Sequence, residues 1–230
     1  MKIKYQSHKF VCKNVTIIQI NIQMKKVGII GSGAVAKALA KGFHGIGYEV
    51  KMGTRDASKL ANVPNVTVGS FEETANFADI IVLAVKGQAA SSIMKQIRTD
   101  GKIVIDTTNP ISDKPPVNGV IQYFTEQNNS LGAILQNENP NAHIVKAFNS
   151  VGSAFMVNPD FGGVEPTMFI AGNSDGAKEK VKEILTAFNW EIEDMGKIEA
   201  SGPIEALCQL WCIPGFLHNQ WSQAFHFLKK

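Results

Sequence analysis

Short apolar runs and longer amphipathic stretches take turns along most of this chain. Val27 to Ile30 contains no polar side chain, and so short a run predicts a strand buried on both faces. From Ala34 to His44 the apolar residues recur at helical spacing, with Val35, Ala38, Leu39 and Phe43 on one face; Gly45 and Gly47 end the helix. The pattern then predicts strands over Tyr48 to Met52 (closed by Gly53) and Val66 to Val68, a short helix over Phe71 to Phe77, and a wholly apolar strand over Ile80 to Val85. A helix over Ala89 to Ile97 and a strand over Ile103 to Ile105 follow. A long connection carries Pro115-Pro116 and a helix over Ser130 to Gln136, and leads to a strand over His143 to Ala147. Connections of that length in α/β proteins usually carry function or disorder. Alternation of this kind predicts a parallel sheet with right-handed crossovers.

Beyond Asn149 the pattern shortens. A strand is predicted over Thr167 to Ala171, and a helix over Asp175 to Phe188 with Ala177, Val181, Ile184, Leu185 and Phe188 as its stripe and Ser174 as its N-cap. A strand over Trp190 to Glu193 precedes a mostly helical tail, Ile204 to Leu228, which Pro214-Gly215 should interrupt.

The composition narrows the class. In 230 residues, 44% are hydrophobic and 19% charged, too apolar for a disordered chain. The net charge of +3 gives no reason to expect nucleic acid or an anionic membrane surface as partner. No apolar run approaches the roughly 18 residues of a membrane span. Three cysteines, Cys12, Cys208 and Cys212, are too few for a disulfide scaffold and fit a reducing, cytoplasmic setting. Cys208 and Cys212 read as small core residues on one helix face, and no ligand spacing suggests a metal. Residues 1–23 lack the clean apolar core and small-residue cleavage site of a secretory signal. They read as an upstream extension outside the fold core or an added edge strand, with Met24 as the functional start.

The chemistry is concentrated after the first strand. Gly31-Ser32-Gly33-Ala34-Val35-Ala36 follows that strand and opens a helix. Gly31 permits the tight turn, Gly33 lets the backbone approach a pyrophosphate, and Ala36 lets the helix pack closely on the sheet. The helix N-terminus offers free N–H groups and partial positive charge to the phosphates. In this strand-turn-helix context the motif predicts a dinucleotide site. The fold expected is therefore α/β: a Rossmann-type doubly wound parallel sheet over 24–150, with a small C-terminal α/β extension over 151–230 that ends in helices.

After the second strand, where an NAD enzyme places an acid for the ribose hydroxyls, the chain reads Gly53-Thr54-Arg55. A carboxylate would repel a 2′-phosphate, whereas Arg55 can bind it through charge-assisted hydrogen bonds worth about 1.5–3 kcal/mol. Lys59 adds to the same field, and NADP is the cofactor expected. The remaining strand ends, Ala84-Val85-Lys86, Thr107-Thr108-Asn109-Pro110 and Lys146-Ala147-Phe148-Asn149, are small, amide-bearing or aromatic. They suit the positioning of a flat ring and offer no nucleophile, acid or base. No Gly-x-Ser-x-Gly elbow or His-Glu-x-x-His helix occurs, nor the Tyr-x-x-x-Lys pair of short-chain dehydrogenases. No catalytic side chain is assigned, and Ala substitutions at Asn109, Asn149 or His143 are expected to slow turnover only modestly.

Taken together, Gly31-Ser32-Gly33, Gly53-Thr54-Arg55, Asp106-Thr107-Thr108-Asn109-Pro110 and Val145-Lys146-Ala147-Phe148-Asn149 resemble the coenzyme F420-dependent NADP oxidoreductases. The chain is equally similar to the cytosolic oxidoreductase domain of the six-transmembrane metalloreductases, from about Lys25 to its end. The resemblance implies NADP held across the strand ends and hydride exchange between nicotinamide and a deazaflavin (coenzyme F420) or flavin ring. Carried over by position, Ser32, Gly33, Ala34 and Val35 would meet the pyrophosphate, and Thr54 and Arg55 the 2′-phosphate. Ala84, Val85, Asn109, Ala147 and Asn149, with Pro110 beside them, would border the nicotinamide. The partner expected is a small redox molecule, with no nucleic acid and no membrane; a homodimer would form through the C-terminal helices. Two other readings stay open: a non-catalytic NADP-sensing protein, and an imine or hydroxyacid reductase. The short segment after Asn149, with its two strands, counts against the reductases, which need a long all-helical C-terminal domain.

Overall fold

A computed structural model describes residues 25–126 and 128–230. The expectations for residues 1–23, for Met24 as the start and for Cys12 lie outside the described residues. Eight strands form one sheet in the order β3-β2-β1-β4-β5-β6-β7-β8. They are β1 (Lys26–Ile30), β2 (Glu49–Gly53), β3 (Thr67–Gly69), β4 (Ile80–Leu83), β5 (Ile103–Asp106), β6 (His143–Lys146), β7 (Thr167–Gly172) and β8 (Glu191–Asp194). The first six run parallel, and the order reverses between β1 and β4. β7 pairs antiparallel with β6, and β8 parallel with β7. This is the Rossmann-type, doubly wound α/β sheet expected, widened by the two C-terminal strands. In such sheets the ligand crevice opens where the strand order reverses, outside the carboxyl ends.

Pleating sends alternate residues of each strand to opposite faces. On one face Val27, Ile29, Val50, Met52, Val82 and Ile105 pack with α1 (Ala34–Gly45) and α5 (Asp175–Ala187), whose Leu39, Phe43, Val181 and Leu185 are buried. On the other, Ile30, Ile81, Leu83 and Val104 meet α2 (Phe71–Phe77), α3 (Gly87–Met94) and α4 (Leu131–Glu138). Ser174 caps α5 as expected, its hydroxyl accepting from the Ala177 N–H at 3.3 Å. Ser70 and Glu73 close a reciprocal capping box on α2.

The tail departs from its sequence pattern. α6 (Ser201–His218) runs through Pro214 without a break and ends where Asn219 takes a left-handed conformation. The residues after Asn219 carry no regular secondary structure. Tertiary contacts decide this. Trp211 and Gln223 exchange hydrogen bonds of 2.7 and 2.8 Å, and the Thr167 N–H donates to the Phe225 carbonyl at 2.8 Å. An apolar pattern alone cannot distinguish a helix from a strap that packs on the fold. Cys208 and Cys212 lie buried beside Tyr123 and Trp211, as small core residues. A hydrogen bond with Cys212, together with burial, pushes the Cys208 thiol up.

Candidate functional site

A cleft of about 700 Å³ opens across the carboxyl ends of β1, β2, β4 and β5. Its floor is the turn between β1 and α1. Gly31 has φ +139°, and a Cβ there would fall 2.1 Å from the Ala84 carbonyl oxygen, so only glycine fits. Its N–H donates to the Gly53 carbonyl at 2.9 Å, and the Ala84 N–H donates to Ile30 at the same distance. The turn is thereby fastened to the ends of both neighbouring strands. At Gly33 no atom lies within 4 Å of where a Cβ would be. That residue faces open cleft, with the unpaired N–H groups of the first turn of α1 beside it and no acidic residue in that turn.

One wall is the loop after β2. The Asp56 N–H donates to the Thr54 hydroxyl at 3.1 Å. The Asp56 carboxylate accepts from the Ser58 hydroxyl at 2.6 Å and from its N–H at 3.1 Å. Those bonds hold the Asp56 carboxyl below the usual carboxylate range and turn it into its own loop. Arg55 and Lys59, both exposed, stand at the mouth as the cations of this wall.

The opposite wall is the segment after β5. The Thr107 hydroxyl donates to the Leu83 carbonyl at 3.0 Å. The Asn109 amide donates to the Asn149 carbonyl at 2.7 Å, and the Asn149 amide donates to Asn109 Oδ1 at 3.1 Å and to the Ile204 carbonyl at 2.9 Å. Asn149 reaches this position because Phe148 before it adopts φ +63°. A bulky residue rarely takes that conformation, and such strain persists where surrounding packing enforces it. Here the Phe148 ring is fully buried against Phe188.

Behind this wall lies a buried ionic group. Lys146 Nζ stands 2.7 Å from Asp106 Oδ2 and 2.8 Å from Glu205 Oε1, with all three side chains 0–2% exposed. Its third proton goes to the Thr108 carbonyl at 2.9 Å. Asp106 Oδ1 accepts from the Thr108 N–H and hydroxyl at 2.9 and 2.7 Å. Glu205 accepts from the Leu131 and Gly132 N–H groups, at 3.0 and 2.9 Å, at the N-terminus of α4. Burial opposes the charge on Lys146, but the two carboxylates outweigh it, and its pKa lies above the ordinary lysine value. Gly132 is the residue that allows this approach, since a Cβ there would meet Ser201 Oγ at 2.6 Å and Lys146 Cε at 3.2 Å.

The structure brings most of the residues singled out from the sequence to one place. Gly31, Ser32, Gly33, Ala34, Val35, Thr54, Arg55, Lys59, Ala84, Val85 and Asn109 all line the cleft. Pro110, Ala147 and Asn149 do not: each is buried behind the wall, and Asn149 acts on the cleft through Asn109. His143, exposed at the amino end of β6, lies at the far end of that strand from the cleft. Lys86, named with its strand end, also lines the cleft; sequence reasoning missed Gln88 in the first turn of α3, and Ile111, Ser112 and Asp113 in the long connection. It also missed Glu205, whose one signal is that no other charged residue occurs between Glu199 and Lys229. Among the described residues, no cluster of His, Cys, Asp or Glu could hold a metal, and no helix is long and apolar enough to cross a membrane.

A doubly wound sheet with a glycine turn, a hydroxyl-plus-guanidinium loop and a cleft at the switch point is the arrangement of a dinucleotide-binding fold. Residues 26–110 match the family model described as NADP oxidoreductase, coenzyme F420-dependent, which bears out the resemblance read from the sequence. The chain is 27% identical over 219 residues to metalloreductase STEAP3 of Rattus norvegicus, covering 92% of this chain and 43% of that protein. It therefore spans less than half the length of that relative. A crystal structure of a proposed F420-dependent NADP reductase from Arthrobacter sp. FB24 superposes with a TM-score of 0.81 at 25% identity, covering 90% of this chain and all of that one. A reductive aminase from Aspergillus terreus in complex with NADPH gives a TM-score of 0.64 at 14% identity, covering 86% of this chain and 64% of that one, and shares the fold alone. The chain is thus similar to NADP-dependent oxidoreductases in its N-terminal part and in its overall fold.

Proposed function

We propose that this chain binds NADP(H) in the cleft and exchanges a hydride between the nicotinamide and a flavin or deazaflavin (coenzyme F420) ring. The observation that carries the reading is the joining of three elements in one cleft: an open glycine turn, the Arg55–Lys59 wall, and a wall where Thr107, Thr108 and Asn109 present hydroxyls and an amide. The residues present fit the cofactor. Gly33 leaves space where a pyrophosphate must approach the backbone, and the N-terminus of α1 supplies donors. Arg55, Lys59 and the Thr54 hydroxyl would hold the 2′-phosphate. Asn109, fixed by Asn149, would orient the nicotinamide amide, with Ala84 and Val85 beneath the ring.

Bound NADPH supplies the hydride, and the chemistry belongs to the two rings. The protein's part is to hold reacting atoms about 3–3.5 Å apart and aligned, and to exclude water. Hydride transfer leaves the acceptor ring anionic, and one proton from solvent at the cleft mouth completes its reduction, so no buried side-chain relay is required. The likeness to a metalloreductase makes ferric chelates the second class of acceptor to examine. Steady-state NADPH oxidation with F420, FMN, FAD and ferric chelates tests the reading. Turnover with a ring acceptor supports it; tight NADPH binding with no turnover would point to a sensing protein instead.

A homodimer and a cytoplasmic setting belong to the same proposal. The outer side of α6 exposes Leu210, Phe216 and Leu217, and Ile111, Val117, Val120 and Phe124 of the long connection are also exposed. Exposed apolar area of that kind marks an interaction surface, and α6 exposes no Asp, Glu, Lys or Arg side chain, which avoids like-charge repulsion in a two-fold contact. Sedimentation equilibrium reads the dimer directly; a monomer at micromolar concentration would refute it.

A further inference from the structure

We propose that Lys146, Asp106 and Glu205 act as one positioning unit for the nicotinamide side of the cleft, through which the C-terminal helix α6 sets the orientation of Thr108 and Asn109. The inference rests on the NADP reading above and extends it to residues outside the cleft.

Stability alone gives a poor account of the group. Three charges out of water carry a large desolvation penalty, and apolar replacements of similar volume are often as stable or more so. What the charges grip is specific. Asp106 takes the N–H and the hydroxyl of Thr108, and Lys146 takes its carbonyl. All three polar groups of one residue are thus fixed from behind, and that residue and the next, Asn109, face the cleft.

Glu205 ties the grip to the rest of the extension. Its carboxylate bridges Lys146 to the N-terminus of α4, while its carbonyl accepts from the Tyr123 hydroxyl at 2.5 Å. The carbonyl of the preceding residue, Ile204, receives the Asn149 amide. One turn of α6 therefore fixes both asparagines' surroundings, the α4 terminus and the long connection. One ammonium faces two carboxylates, and the surplus negative charge lies on the positive end of α4. The glycine turn and the Arg55 wall belong to β1 and β2, on the other side of β4 from this group. A disturbance of the unit should therefore reach the nicotinamide half of the cleft and spare the adenosine half.

The test uses the full chain with Lys146→Met, Glu205→Gln and the double variant Lys146→Met/Asp106→Asn. The double variant removes one charge of each sign and leaves Glu205 on its two N–H partners, which keeps a folded protein within reach. Each variant is measured for melting temperature, for affinity toward 2′,5′-ADP (a probe of the adenosine half) and for kcat and KM in NADPH oxidation with the best acceptor. The expected result in a folded variant is 2′,5′-ADP affinity within twofold of the parent and kcat lower by about 10- to 100-fold, the scale of lost positioning. Unchanged kcat overturns the proposal. Equal loss of 2′,5′-ADP affinity and turnover, or failure of all three variants to fold, also overturns it, because the group would then be purely structural. If the parent itself does not bind 2′,5′-ADP, the NADP reading fails, and the proposal with it.

Discussion

Adding one methyl group at Gly31 or at Gly33 should separate folding from cofactor binding. At Gly31 the new Cβ would stand 2.1 Å from the Ala84 carbonyl oxygen, at φ +139°. Strained backbone costs about 1–3 kcal/mol, and forcing the β4 terminus outward costs a further ~1–3 kcal/mol. At about 2–4 °C per kcal/mol for a chain of this size, Gly31→Ala should lower the melting temperature by roughly 10 °C. Gly33 is different: φ −79° and ψ −175° suit any residue, and its Cβ would touch nothing. Loss of unfolded-state freedom should make Gly33→Ala neutral or more stable by about 0.4–1 kcal/mol. The methyl would nevertheless occupy the space of a pyrophosphate drawn against the backbone. Overpacking of ~1–3 kcal/mol there corresponds to NADPH binding weaker by roughly 5- to 150-fold. Differential scanning fluorimetry and titration of NADPH fluorescence measure the two quantities. Gly33→Ala binding NADPH as tightly as the parent, or Gly31→Ala melting with it, would refute the assignment of the turn.

NADP should bind at least about tenfold tighter than NAD, the low end for charge-assisted contacts. Arg55→Ala should remove most of that gap and leave NAD affinity nearly unchanged; equal affinities for the two cofactors in the parent, by calorimetry, would exclude the 2′-phosphate wall. Asn109→Ala and Asn149→Ala should slow single-turnover NADPH oxidation by about 10- to 100-fold, whereas His143→Ala, at the amino end of its strand, should leave it unchanged. A loss of about 10⁴-fold at either asparagine, with NADP affinity intact, would mark an acid–base residue and a different reaction.

The parts of this site that were legible in the sequence are those set by local geometry. Gly31 and Gly33 announce a turn that other residues cannot make, and Thr54-Arg55 announces a missing acid. The strand ends were located correctly, but not the direction in which they face. Ala147 and Asn149 follow β6, where a left-handed Phe148 turns the chain into the core; a phenylalanine gives no local warning of that conformation. The pairing of Lys146 with Asp106 and Glu205 joins three separate segments, and no spacing rule connects them. The tail failed for a related reason. Pro214 sits inside α6, whose left-handed end comes only at Asn219, and the residues beyond it follow partners on β7 and α6 rather than their own periodicity.

The central claim is hydride transfer to a second ring, and isotope transfer tests it most directly. NADPH deuterated at one face of the nicotinamide C4 would be turned over with a deazaflavin, whose C5 retains a carbon-bound hydrogen that a flavin N5 would exchange with water. The account predicts one deuterium at C5 from a single face of the nicotinamide, with none incorporated from solvent. Deuterium absent from the deazaflavin, while NADPH binds tightly and the label appears only in an imine or carbonyl substrate or in no product at all, would contradict it.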